Sequence, residues 1–242
     1  MNQSLQNSED ARSEGEKRGP IPAKIPAFLT NPVGFGSVCW ILTALFFVGQ
    51  VVTQAAVTTP YSLLTNQISD LGVTTCEPIT VLDYHTTVCS PLHGVMNATF
   101  IIFGLLSMVG AIALRHVWPK RRLRVVGTTF IMIGSVGAIV AGFFPQNEQP
   151  VLHILGAIAG MVLTNLGVFL IGCAVWKYHR GMGSFSLVCS GIGLGSFFFN
   201  APTSEIGGLL ERLAGYPMVL WMIVTGFFLV RKGAYFRFDI RS

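Results

Sequence analysis

Residues 36–56 read GSVCWILTALFFVGQVVTQAA, from Gly36 to Ala56, without a single Lys, Arg, Asp or Glu. The hydrocarbon core of a bilayer takes about 20 residues of helix, with roughly 17–25 tolerated. An uncharged apolar run of this length therefore reads as a membrane span. Five more follow it: about His93–Leu114, Val125–Phe144, His153–Trp176, Ser184–Asn200 and Leu213–Val230. The fifth is the shortest and the richest in glycine. The fold class that results is all-α, an integral membrane bundle of six transmembrane helices. Composition agrees, because the 242 residues are 51% hydrophobic and only 11% charged, with a mean hydropathy of +0.60. Soluble domains carry about 25% charged residues.

Direction follows from the basic residues. Of the 16 Lys and Arg, all but Arg212 fall in the N-terminal tail, between spans two and three, between spans four and five, or after span six. The positive-inside rule makes that side cytosolic and places both termini there. The net charge of +5 thus serves topology. These residues flank apolar spans instead of forming a solvated basic stripe, so nucleic acid is not an expected partner. Residues 1–31 are polar and then proline-rich, which predicts a disordered cytosolic tail with no secretory signal. The six-helix domain is expected over 32–232, with an external loop at 57–92 and a cytosolic tail at 233–242. Trp40 and Trp176 fall near the predicted cytosolic boundary, where indole rings prefer to sit.

Small residues recur four apart at Gly156 and Gly160, at Gly191 and Gly195, and through Gly134, Ala138 and Gly142. Such stripes predict close helix packing where lipid supplies no hydrophobic drive. Cys76 and Cys89 lie together in the long external loop. An oxidising compartment allows them to pair, a link worth about 3 kcal/mol, against the alternative of two free thiols. Cys39, Cys173 and Cys189 fall within spans as packing residues.

The polar groups left over gather near the external boundary. Ser69 and Asp70 lie in the loop, His93 opens span two and Asn97 sits one turn deeper on the same face. Asn147 and Glu148 fall in the next external loop, His153 at the start of span four, and Glu205, Glu211 and Arg212 just before span six. As drawn, the six spans hold no charged residue, which argues against a charge relay across the membrane. Three readings fit. In the first, these groups cap helix ends and hold loops, Ser69 or Asp70 capping a turn and Glu211 and Arg212 pointing to separate partners. In the second they receive the polar head of an amphiphile, with a carboxylate and a histidine available as general base and acid. In the third His93, His153 and Asp70 hold a metal, though no HxxxH or HExxH spacing supports it. Haem fails on distance, since His93 and His116 stand about 35 Å apart along a helix rising 1.5 Å per residue.

YSLLTNQISDLG (61–72), CSPLHGVMN (89–97), GFFPQN followed by LHILGA (142–157) and GGLLERLAGYPMVLWMIVTGFFL (207–229) together resemble the multi-pass prokaryotic membrane family catalogued as domain of unknown function 998. The likeness spans about residues 36–231. It implies a six-helix bundle in a bacterial or archaeal inner membrane, and puts Ser69, Asp70, Asn97, His153, Glu211 and Arg212 at recurrent polar positions. The cysteine-bearing loop looks like an elaboration. The resemblance supplies no reaction. The expected function is a pocket for a lipid or isoprenoid-like amphiphile at the external face. Asp70, His93, His153 and Glu211 are its candidate catalytic groups, and Ser69, Asn97, Asn147 and Arg212 its binding groups. No cofactor or metal is expected, and membrane lipids are the expected partners. The alternative is a non-enzymatic membrane subunit or a small-solute transporter.

Overall fold

A computed structural model describes residues 31–119, 121–199, 205–233 and 236–238. The N-terminal tail expected over 1–31 lies outside the described residues except for Asn31. That residue caps the first helix, its Oδ1 accepting from Val33 N at 2.8 Å. Pro32 follows at the first helical position, where its missing N–H costs no hydrogen bond. Helix α1 (Pro32–Leu42) therefore starts ahead of the predicted Gly36. It continues as α2 (Leu45–Ala55) after a tightened turn at Thr43 and Ala44, where Phe46 N and Phe47 N each reach a carbonyl three residues back at 3.0 Å.

The other five spans are α3 (His93–Leu114), α4 (Arg121–Phe143), α5 (Pro150–Ile158) running on into α6 (Thr164–Val175), α7 (Arg180–Phe199) and α8 (Gly207–Lys232). A π-helical turn, Ala159–Leu163, joins α5 to α6. Among the described residues six helices are thus long and apolar enough to cross a membrane. Helix α8 corrects the expectation of uncharged spans, because it begins at Gly207 and takes Glu211 and Arg212 into its second turn. Leu209 N donates to Leu64 O at 3.0 Å, so the long loop supplies partners to the opening of α8.

The spans pack in cyclic chain order. Helix α1 meets α3, α3 meets α4, α4 meets α6, α6 meets α7, α7 meets α8, and α8 returns to α1. Without a hydrophobic drive between helices in lipid, close approach has to hold such a ring. A Cβ on Gly137 would fall 2.5 Å from Gly156 O, and one on Gly156 would fall 2.7 Å from Gly137 O. The backbones of spans three and four touch there. Gly191 and Gly195 correct the packing expectation: an added Cβ at either meets nothing within 4 Å, so they form no helix contact.

The two ends of the ring differ. At the end bearing the arginines, Trp40 is fully buried and lies 5.1 Å from Trp221 and 6.0 Å from Trp118, ring centre to ring centre. Its Nε1 donates to Ser107 O at 3.1 Å. Trp40 is thus a core residue instead of the boundary anchor expected, whereas Trp176 is exposed. Part of the expected C-terminal tail folds back onto this cluster, with Phe238 stacked on Trp118 and Phe238 N donating to Val117 O at 3.2 Å.

At the opposite end the long loop folds over the ring. It holds a 3₁₀ turn, Ser69–Gly72, and a hairpin of β1 (Ile79–Val81) and β2 (Tyr84–Thr86) in which Thr80 faces His85. The Cys76–Cys89 disulfide closes the base of this hairpin. Among the described residues, Cys39 and Cys189 are buried free thiols and Cys173 is half-buried.

Candidate functional site

Asp70 is fully buried in the 3₁₀ turn and is the hub of the loop. Its Oδ2 accepts from Tyr84 OH at 2.5 Å, from Gln67 N at 2.9 Å, and from Asn66 Nδ2 and Thr86 Oγ1 at 3.3 Å each. Its Oδ1 accepts from Gln146 Nε2 at 2.7 Å, which ties in the loop between spans three and four. Burial pushes the Asp70 carboxyl above the ordinary carboxylate range, and the Tyr84, Gln146 and Asn66 donors pull it back. Burial also raises the Tyr84 phenol, with the Asp70 charge adding to the shift.

Glu211 and Arg212 seat this loop on α8. The Glu211 carboxylate accepts from Ile68 N at the start of the 3₁₀ turn. Arg212 Nη1 donates to Leu63 O (3.1 Å), Asn66 O (2.7 Å) and Gly208 O (2.8 Å), and Nη2 donates to Tyr61 OH at 2.7 Å. The two neighbours do point to separate partners. Arg212 is only 4% exposed, so its charge is spent on backbone carbonyls.

Other expected groups fasten the loop at different points. Asn97 Nδ2 donates to Gly72 O at 2.9 Å, and the approach is so close that a Cβ on Gly72 would meet Asn97 Oδ1 at 2.2 Å. Only glycine fits there. Asn147 exchanges two bonds with Thr74, accepting from its N at 3.2 Å and donating to its Oγ1 at 2.9 Å. His93 opens α3, half-buried, and its Nδ1 finds no partner among the described residues.

Two adjoining chambers lie beneath the loop. The inner one, about 60 Å³, lies between Phe46, Phe103, Ala138, Met161 and Met218, with Ile68 of the loop in its wall. The outer one, about 170 Å³, lies between the hairpin and α5, walled by Gln67, Leu82, Tyr84, Gln146 and Ile154. Ser69, His153, Ala157, Met161 and Glu211 border both. Met161 belongs to the π turn, a widening of the helix often found where a span shapes a site. Span four packs on span three along its length, but among the described helices it meets span five closely only from the π turn inward.

His153 is buried, and its Nδ1 lies 3.0 Å from Ala141 O and 2.9 Å from Phe144 O. Both partners are acceptors, so Nδ1 carries a proton, and in a neutral ring the lone pair then lies on Nε2. Ser69 Oγ, the other shared hydroxyl, donates to Gln146 Oε1 at 3.0 Å.

The structure thus brings Ser69, His153 and Glu211 to the walls of one pair of chambers, sets Asp70 behind the wall residues Gln67, Tyr84 and Gln146, and leaves His93, Asn97, Asn147 and Arg212 outside the walls. Sequence reading missed Tyr84 and Gln146, which complete the shell of Asp70. It also missed Asn165, whose Nδ2 links spans four and six by donating to Met161 O and Ala214 O. Among the described residues no three His, Cys, Asp or Glu side chains are grouped to hold a metal ion.

A family model described as a protein of unknown function, DUF998, matches residues 41–227. No curated protein and no solved structure matches the chain.

Proposed function

The chain belongs to the DUF998 family, and since that family name carries no activity, we propose from the site itself that the protein receives a single-chain amphiphile at the extracytoplasmic face of the inner membrane. The polar head lies in the outer chamber under the hairpin, where it opens to the inner one, and the first carbons of the chain enter the inner one. The carrying observation is the pair of adjoining chambers, one with a polar wall and one lined by Phe46, Phe103, Met161 and Met218, that share Ser69, His153 and Glu211. Ligand sites in bundles have this make-up, an apolar body with a few convergent polar groups. The looser packing of α5 against span five, among the described residues, suits entry of an apolar chain from the bilayer. The positive-inside distribution of Lys and Arg supports the orientation. His153 Nε2 and Glu211 also border the chambers, the pair of residue types that proton-transfer chemistry would use.

Gentle extraction followed by native mass spectrometry tests this reading. The wild-type protein is expected to retain an amphiphile, and Ala157→Trp, which fills the space between the chambers, is expected to lose it. Equal retention by a folded Ala157→Trp protein would refute the assignment.

A further inference from the structure

The chemistry of the walls goes further than their shape. Among the described residues no Lys or Arg borders either chamber. Arg212, the one cation at this end among the described residues, turns both Nη atoms to Leu63, Asn66, Gly208 and Tyr61. The wall's own donors are directed inward as well. Tyr84 OH and Gln67 N donate to Asp70 Oδ2, Gln146 Nε2 to Asp70 Oδ1, and Ser69 Oγ to Gln146 Oε1. What borders the cavity is acceptor-rich, namely His153, whose Nδ1 is already spent as a donor, and the Glu211 carboxyl, with Asp70 behind them. Against these stand only neutral amide protons of Gln67 and Gln146.

Resting on the amphiphile reading, we propose that the site selects a head group that donates hydrogen bonds, a primary amine on an apolar chain, and rejects phosphate and carboxylate heads. An anion placed here would lose its water beside Glu211 with no cation to replace it. An ammonium would find a carboxylate and an imidazole lone pair, both suited to charge-assisted bonds. The shared wall of Ser69, His153 and Glu211 stands where the polar outer chamber gives way to the apolar inner one. The nitrogen therefore sits at that boundary, with the first carbons of its chain in the inner chamber. In this proposal Arg212 stands behind the site, its Nη atoms serving loop carbonyls and Tyr61.

The test uses the full chain in an uncharged maltoside detergent with three probes of one chain length: tetradecylamine, tetradecanol and tetradecyl phosphate. Native mass spectrometry reads saturable binding. The amine is expected to bind about tenfold more tightly than the alcohol, a difference of about 1.4 kcal/mol, and the phosphate not to saturate. In Glu211→Gln, where the amide oxygen can still accept from Ile68 N, the amine-to-alcohol ratio is expected to fall towards one. Phosphate binding equal to that of the amine overturns the head-group assignment while leaving the amphiphile reading intact. So does an amine preference that survives Glu211→Gln. The wild-type ranking decides the matter even if the variant does not fold. Failure of all three probes to bind folded protein overturns the amphiphile reading as well.

Discussion

The phenolic oxygen of Tyr84 lies 2.5 Å from Oδ2 of Asp70, joining the hairpin to a buried carboxyl fourteen residues earlier. This bond holds the hairpin down over the outer chamber. Hydrogen bonds to charged groups contribute about 1.5–3 kcal/mol. Tyr84→Phe is expected to lose about that much in chemical denaturation, and to expose residues 76–89 to protease before the spans unfold.

The same carboxyl sets a pH dependence. Burial raises the folded-state pKa of Asp70 above its unfolded value, so the fold favours the protonated acid. Its stabilising contribution is complete below the unfolded value of about 3.9 and is lost as pH rises through the folded one. Tyr84, raised above its ordinary value, stays protonated throughout this range. The stability difference between wild type and Asp70→Asn should therefore shift in favour of wild type as pH falls towards that unfolded value, as followed by thermal unfolding. A difference independent of pH would contradict the raised value.

Arg212 satisfies three carbonyls and a phenol through one planar group. Lysine carries a single ammonium on a flexible stem and cannot span that set. Arg212→Lys is expected to destabilise the protein by about 2–4 kcal/mol, because carbonyls of the long loop lose a buried charged donor. Unfolding midpoints and folded yield measure it.

The Cys76–Cys89 disulfide closes the base of the hairpin. Links of this loop length contribute about 3 kcal/mol. Replacing both cysteines by serine should loosen residues 76–89 in hydrogen exchange while leaving α3 and α8 protected.

Two kinds of glycine should respond differently. At Gly156 a Cβ would fall 2.7 Å from Gly137 O, whereas at Gly191 it would meet nothing within 4 Å. Gly156→Ala is expected to lower folded yield by forcing spans three and four apart, and Gly191→Ala to be neutral or slightly stabilising, since alanine favours helix. Detergent-melting curves compare the two.

The spans were legible because an uncharged apolar run of membrane length has few other uses. For α3 the expected and observed bounds coincide at His93 and Leu114. The start of α8 was not, because Arg212 breaks the hydropathy signal locally and is compensated by Leu63 and Asn66, 149 and 146 residues away. Four site residues, Ser69, Asp70, His153 and Glu211, could be picked out as polar groups beside apolar runs. Tyr84 could not, since a tyrosine between two loop cysteines looks like surface until the hairpin folds back. Gln146 carried a faint signal, adjoining Asn147 just before span four. The likeness of Gly191 and Gly195 to a packing stripe misled because spacing alone does not say which face of a helix meets a neighbour.

Cyclic packing has a bearing on biogenesis. The first helix is made long before its sixth-span neighbour, so the flank of Trp40 that meets Trp221, and the Ser37 carbonyl that Gly226 approaches, wait against lipid or a chaperone while the intervening chain is translated. A nascent chain arrested before Gly207 holds an open arc of five helices, and the seam between Trp40 and Trp221 is sealed only once the sixth span is made.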